Sequence, residues 1–238
     1  MKTNVTRILL LCFFISACWA QDQVVTFATR SDVVEQINKA RTLPSVFAAV
    51  IQESYSNYTS YSSLQSTIHF LNTVTPLSAL SNQSGLDAVA QFHANYLNSG
   101  VSDWLNPHIG CNDSVVSNRV ALAGNCGSRV AENIASGIQN AEQLVATWII
   151  DNHVSSKKNR MNVFDPSITD IGIGISGSQD NSTIYVAVFA ADFICTSPCV
   201  NASKIGGQYD CTGSPFAAAI VPKVTAALLV IISLALMV

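Results

Sequence analysis

The 238-residue sequence predicts a mixed α/β domain, and three features carry that expectation. Apolar residues recur at helical spacing in several stretches before residue 100 and again after residue 140. Residues 183–193 are apolar on both faces, as a strand is when it lies inside a sheet covered on both sides. Residues 170–176, just before it, alternate Ile and Gly with the period of a partner strand.

In chain order, Ser31 is the expected cap of a first helix with Val33, Val34, Ile37 and Ala40 on one face. Leu43-Pro44 ends it, because the residue before a proline avoids helical angles. A second helix is expected over 45–52, followed by a Ser/Tyr/Asn-rich loop, and a third over 63–72 that brings Leu64, Ile68 and Leu71 together. After Pro76, Leu86, Val89, Phe92, His93, Tyr96 and Leu97 form the apolar stripe of a fourth helix, stopped near Gly100. Residues 101–128, rich in Asn, Gly, Ser and Cys, read as an ordered loop tied by a disulfide; loops of that length in a compact domain are usually functional or disordered. A further helix over 140–152 buries Leu144, Val145, Trp148 and Ile149, and the two strands close a single domain.

The ends read as processing signals. Lys2 and Arg7 precede an apolar run and the small-residue site Cys18-Trp19-Ala20, which predicts a secretory leader over 1–20 and a mature start at Gln21. No charge lies between Val224 and Val238, and a helix of that stretch would span about 22 Å against the roughly 30 Å of a bilayer core. The small residues Cys211, Thr212, Gly213 and Ser214, a spacer to Lys223 and the apolar end fit a GPI-attachment signal, with 201–215 as a linker and 216–238 removed; a retained C-terminal anchor is the alternative. The globular domain is then 21–200, enough chain for a sizeable core. Between Gln21 and Gly213 nine Lys or Arg face fifteen Asp or Glu, a formal charge of −6, which argues against a nucleic-acid partner.

Five cysteines remain after the leader: Cys111, Cys126, Cys195, Cys199 and Cys211, in a compartment that permits disulfides. Cys111 with Cys126 is the preferred pair, since they flank one short irregular segment far from the others. Cleavage before Cys211 would leave an even number; otherwise either Cys195 or Cys199 is open to pairing with Cys211. Asn57, Asn82, Asn112, Asn181 and Asn201 each begin an Asn-x-Ser/Thr acceptor and mark expected glycan sites.

Three polar residues stand out among apolar neighbours. His108 follows Pro107 in a polar loop, Glu132 precedes Ile134, and Asp151 lies one helical turn beyond Trp148. In a shared cavity such groups hold a divalent metal or exchange protons. Their structural alternative is equally concrete: Glu132 ties down backbone amides, and Asp151 caps a helix or pairs with Lys157, Lys158 or Arg160. His93 is expected as a satisfied core histidine and His69 as a surface or packing residue. The chain has no Gly-x-Ser-x-Gly elbow and no His-Glu-x-x-His helix.

Four segments in order, Pro107-His108-Ile109-Gly110, Ala131-Glu132-Asn133-Ile134-Ala135, Trp148-Ile149-Ile150-Asp151 and Asn159-Arg160-Met161-Asn162, resemble the core of the CAP superfamily of cysteine-rich secretory, antigen 5 and pathogenesis-related proteins. Ile37-Asn38-Lys39-Ala40-Arg41, the run with Ala90, His93 and Ala94, and the pair Gly172-Ile173-Gly174 and 185–193 extend the resemblance over most of the mature chain. It implies a three-layer α-β-α sandwich with a central antiparallel sheet. It also implies one cleft that gathers His108 as first motif histidine, Glu132 as first acid and Asp151 as second acid. The second histidine normally stands directly before the Arg-x-Asn step, where this chain has Asn159; His153 lies too far upstream to replace it.

Asparagine neither carries a proton at neutral pH nor ligates transition metals as imidazole does. No catalytic residue, metal or cofactor is therefore expected, and His108 is the one metal-ligand candidate left. Members of the superfamily are mostly extracellular binding and effector proteins, some of which bind sterols or other lipids. The resemblance thus implies a secreted or GPI-anchored, non-enzymatic protein that binds a small lipid or sterol, or an extracellular protein or glycan. The alternatives are a hydrolase using the cleft and a structural coat or adhesion glycoprotein. A glycan on Asn112, four residues from His108, would crowd the cleft mouth.

Overall fold

The computed structural model describes residues 27–55, 62–99, 102, 104–125, 129–152, 154–177 and 183–195. The expected leader, the acceptors Asn57, Asn181 and Asn201, His153, Cys126, Cys199, and the attachment segment at Cys211–Ser214 lie outside the described residues. Seven helices are described: α1 (Arg30–Thr42), α2 (Pro44–Ser54), α3 (Ser62–Thr73), α4 (Ser84–Asn98), α5 (Val116–Ala123), α6 (Ala141–Ile150) and α7 (Lys158–Val163). The strands are β1 (Ser81–Asn82), β2 (Gly124–Asn125), β3 (Val130–Ser136), β4 (Asp170–Gly177), β5 (Thr183–Ala190) and β6 (Ile194–Cys195).

Local chemistry sets the helix ends. Thr29, not Ser31, caps α1: its hydroxyl accepts from the Asp32 amide while the Asp32 carboxylate accepts from the Thr29 amide, at 3.3 and 2.8 Å. A carboxylate three residues after a threonine closes this reciprocal box, which Ser31 has no partner to form. Pro44 opens α2, where its missing N–H is no loss. Asn140 caps α6 by accepting from Glu142 and Gln143.

The main sheet has the order β1-β4-β5-β3. Its three longer strands pair antiparallel as expected, whereas β1 adds a parallel edge of two residues, so the sheet is mixed. Central β5 is buried at every position. Tyr185, Ala187 and Phe189 face the layer of α1, α2, α3, α6 and α7, and Ile184, Val186, Val188 and Ala190 face α4 and α5. The result is the expected three-layer sandwich. β2 and β6 form a separate antiparallel ribbon. Among the described residues no helix is long and apolar enough to cross a membrane.

The Ile/Gly alternation of β4 has a packing cause. A Cβ at Gly172 would lie 2.1 Å from the Leu86 carbonyl carbon, and one at Gly174 would lie 2.2 Å from the Ala90 backbone, so α4 rests directly on bare strand. Ile171 and Ile173 fill the opposite core.

Side chains also close part of both long edges of the sheet. Beyond β1, the Asp87 carboxylate accepts from the Ile173 amide at 2.7 Å, and the Gln91 amide exchanges two hydrogen bonds with Ile175. On the other edge, Asn162 donates to the Glu132 carbonyl at 3.3 Å and the Trp148 indole N–H donates to the Ile134 carbonyl at 3.2 Å. Strand edges left open invite pairing with other chains, and these contacts remove part of that exposure.

Residues 101–128 depart from the expected loop. They contain a short turn at Cys111–Asp113 and the helix α5, whose buried Val120 and Ala123 pack against α4. The Cys111 sulfur is in a disulfide.

Gly174→Ala should destabilise the protein by about 1–3 kcal/mol, the usual cost of forcing atoms into a packed core. Gly177→Ala, at a position where an added Cβ meets nothing within 4 Å, should leave stability within about 0.5 kcal/mol. Urea unfolding of the two variants checks both values.

Candidate functional site

Strand alternation fixes the site. In β3, Glu132 points into the α4–α5 layer and Asn133 into the α6–α7 layer. The buried Glu132 carboxylate accepts from Arg119 Nη2 at 2.8 Å on one oxygen and from His108 Nδ1 at 2.9 Å on the other. His93 Nε2 stands 3.7 Å from that second oxygen and donates to the Pro107 carbonyl at 2.8 Å. Arg119 is wholly buried and donates as well to the Ser114 carbonyl. Gly110 fits between these groups only because it lacks a side chain: a Cβ there would lie 2.7 Å from the Ser114 hydroxyl and 2.9 Å from Arg119 Nη1.

The charges follow from these contacts. Burial pushes the Glu132 carboxyl up, but the His108 hydrogen bond, the nearby His93 and the Arg119 guanidinium outweigh it and hold the pKa below the ordinary value. Burial lowers His93 to about 4, with Arg119 and His108 pressing the same way against the pull of Glu132 and the Pro107 carbonyl. His93 is therefore neutral at neutral pH. It is a core histidine, as the sequence predicts, and also a wall of the Glu132 site.

Asp151 lies on the other side of the strand. It ends α6 in the left-handed region at φ 50°, ψ 49°, which aspartate tolerates better than most residues. One carboxylate oxygen accepts from the Asn159 side-chain amide at 2.8 Å, and the other from the Asn159 backbone amide at 2.8 Å and the Arg160 amide at 3.5 Å. Asp151 thus caps the start of α7 from outside that helix. Lys157 donates to its carbonyl, not its carboxylate, while Arg160 turns to the Ile149 and Ile150 carbonyls and Thr67.

The four residues expected in one cleft therefore form two bonded pairs, His108 with Glu132 and Asp151 with Asn159. A chain of amides links them: Asn133 donates to the Asn159 carbonyl at 3.0 Å, and Asn162 donates to the Asn133 side-chain oxygen at 2.8 Å. Each pair borders its own cavity along the outer edge of β3. One, of about 260 Å³, is lined by His108, Glu132, Ile109, Val115, Val116, Val130, Lys158 and Asn162 among others. The other, of about 530 Å³, is lined by Asp151 and Asn159 with Tyr55, Leu64, Ile134, Trp148, Ile150 and Val154. Among the described residues no three His, Cys, Asp or Glu side chains are grouped to share a metal ion.

A family model described as the cysteine-rich secretory protein family, CAP, matches residues 34–190. The chain belongs to the CAP family. Among solved structures, this CAP chain is similar to an outer surface protein of Borrelia burgdorferi at 18% identity, covering 62% of this chain and 90% of that one with a TM-score of 0.41. It is similar to an extracellular protein containing an SCP domain from Bacillus anthracis at 16% identity, covering 68% and 41% with a TM-score of 0.42. It is also similar to the venom allergen-like protein 4 of Schistosoma mansoni at 14% identity, covering 74% and 97% with a TM-score of 0.37. No curated protein matches the chain.

Sequence reasoning misses Arg119, the counter-charge of the CAP motif acid. The signal available is the spacing of Val116, Val120 and Ala123, which marks a helix whose Arg119 adjoins the apolar face. It also misses Asn133 and Asn162 as ties between the two pairs, since short amides in a motif carry no periodicity.

The protein should lose stability on acidification. His93 binds its proton near pH 4 when folded and near 6.5 when unfolded, so the unfolded chain holds more protons between those values. Stability is full above pH 6.5 and falls as the pH drops toward 4, by on the order of 3 kcal/mol from His93. Glu132, also depressed, adds loss at still lower pH, as the pH falls through its folded pKa. Urea unfolding at pH 7, 5.5 and 4 measures the slope.

Proposed function

We propose that this CAP protein is a secreted or surface-tethered, non-enzymatic binding protein, and that the cavity beside Asp151 and Asn159 takes a small apolar ligand of the lipid or sterol class. The observation that carries the reading is the state of the two motif acids. Glu132 has both oxygens engaged by Arg119 and His108, and Asp151 has both engaged by Asn159 and the start of α7. A general acid or base must come within hydrogen-bond reach of its substrate, and Glu132 and Asp151 are only 5% and 4% exposed. These carboxylates are spent on holding elements together.

The neighbouring cavity has the chemistry of a binding site. Its volume of about 530 Å³ falls within the roughly 300–1,000 Å³ of small-molecule pockets. Apolar walls from Leu64, Ile134, Trp148, Ile150 and Val154 meet a polar margin of Ser63, Asn152, Asp151 and Asn159. That division suits a molecule with an apolar body and one polar group. Placement outside the cell rests on the predicted leader, and tethering on the attachment pattern near Cys211–Ser214.

The test is equilibrium binding of a fluorescent sterol and a fluorescent fatty acid. One of them should bind, and Val154→Trp, which fills the half-buried cavity wall, should weaken binding about tenfold or more with unfolding unchanged. His108→Ala should leave that affinity alone. Absence of binding, or turnover of a peptide or ester substrate abolished by His108→Ala, contradicts the reading.

A further inference from the structure

The smaller cavity, beside His108 and Glu132, is distinct in kind from the apolar one. Backbone geometry along β3 shows why. The Arg129 carbonyl accepts from the Ala191 amide, and the Gly137 amide donates to the Thr183 carbonyl. With the register Val130↔Ala190 through Ser136↔Ile184, the odd-numbered residues of β3 spend their backbone groups on β5. The even-numbered residues turn theirs to the outer edge. Glu132 and Ile134 have their outward carbonyls taken by Asn162 and Trp148. Among the described residues nothing takes the outward N–H and C=O of Val130, which borders the cavity.

Two further groups are unspent there. Asn162 is wholly buried, and among the described residues its side-chain oxygen has no hydrogen-bond partner although its amide nitrogen makes two bonds. A buried acceptor without a donor is costly, which leaves this end of the strand edge less fully satisfied than the rest. Lys158 is exposed at the same cavity and makes no ion pair among the described residues, whereas the neighbouring Arg129 is held by Asp165 at 2.8 Å. Glu132, at the back, is already neutralised by Arg119. The walls are apolar: Ile109 and Val115 are 38% and 40% exposed, with Val116 beside them.

We propose that the outer edge of β3 at Val130 docks an extended peptide segment of a partner protein that carries an apolar side chain next to an acidic one. The segment exchanges two backbone hydrogen bonds with Val130, lays its apolar side chain on Ile109 and Val115, and sets its carboxylate against Lys158. An added strand supplies the alternating donors and acceptors that a bare edge requires, with side-chain pockets giving selectivity. The volume of about 260 Å³ has room for a side chain and is below the usual range for enclosing a drug-sized molecule. Among the described residues that line this cavity Lys158 is the one cation without an acidic partner, and in a domain of net negative charge it selects one acidic group rather than a polyanion. This site is separate from the apolar cavity and does not depend on its ligand.

The test uses the full chain, purified from expressing cells, and a fluorophore-labelled probe, acetyl-Thr-Val-Glu-Val-Thr-amide, followed by fluorescence anisotropy. The probe should bind saturably, and its counterpart with lysine in place of glutamate about fivefold more weakly or less. Lys158→Glu should reverse that preference. N-methylation of the probe backbone should abolish binding. Val130→Pro removes the outward N–H at the first residue of an edge strand, where proline is tolerated, together with a partly buried side chain; it should lower probe affinity while the protein stays folded by urea titration, and Val130→Ala, which trims the side chain but keeps the N–H, should retain binding. Sterol and fatty-acid binding by Val130→Pro should equal that of the native chain, which separates failure here from failure at the other cavity. No saturable binding at millimolar probe, equal binding of the acidic and lysine probes, undiminished binding to Val130→Pro, or binding only of phosphatidylserine vesicles at this face would each overturn the proposal.

Discussion

A carboxylate buried at the edge of a sheet must have its charge answered on the spot, and the ion pair of Glu132 with Arg119 answers it. Transfer of an unpaired carboxylate into a protein interior costs several kcal/mol even after relaxation. With Arg119 buried 2.8 Å away and His108 closing the second oxygen, that cost is offset, and three separate stretches of chain become mutually dependent. β3 supplies the acid, α5 the guanidinium, and the segment before the Cys111 turn the imidazole. His93 on α4 and the side-chain-free Gly110 then pack around the pair with little room to spare. α5 and the His108 segment are short or irregular, and the buried charge ties them to β3.

The same economy governs the sheet. A four-stranded sheet with two open edges would present rows of unpaired amides and carbonyls, and this chain closes much of both with side chains from flanking helices. Asp87 and Gln91 serve β4, while Asn162 and Trp148 serve β3. Asp151 repeats the device at the start of α7 with Asn159 as its clamp. The motif residues are thus explained by structure first. What they leave unoccupied among the described residues is informative for the same reason: a cavity with apolar walls beside Asp151 and Asn159, and the outward edge of β3 at Val130.

Much of the fold was legible because most of its helices are amphipathic and its central strand is apolar throughout. The stripe of Leu86, Val89, Phe92 and Leu97 and the doubly apolar run at β5 are patterns that burial alone dictates. α5, α7 and β3 were hidden for physical reasons. α5 is two turns long with a buried arginine on its inner side, and β3 carries Glu132 and Asn133 where periodicity asks for apolar residues. Their stability comes from partners distant in sequence, which no local window contains. The site was half legible. His108, Glu132, Asp151 and Asn159 were named, but their division into two pairs follows from strand alternation at β3, and the strand itself had to be seen first.

The most direct measurement is a double-mutant cycle on Arg119 and Glu132, using Arg119→Met, Glu132→Gln and the double variant, with unfolding free energies taken from urea titration. The account predicts that each single change is strongly destabilising, that the double change costs far less than their sum, and that the coupling is about 2 kcal/mol or more. Additive losses, with coupling below about 0.5 kcal/mol, would contradict it, because the buried pair would then not be the interaction on which the surrounding elements depend.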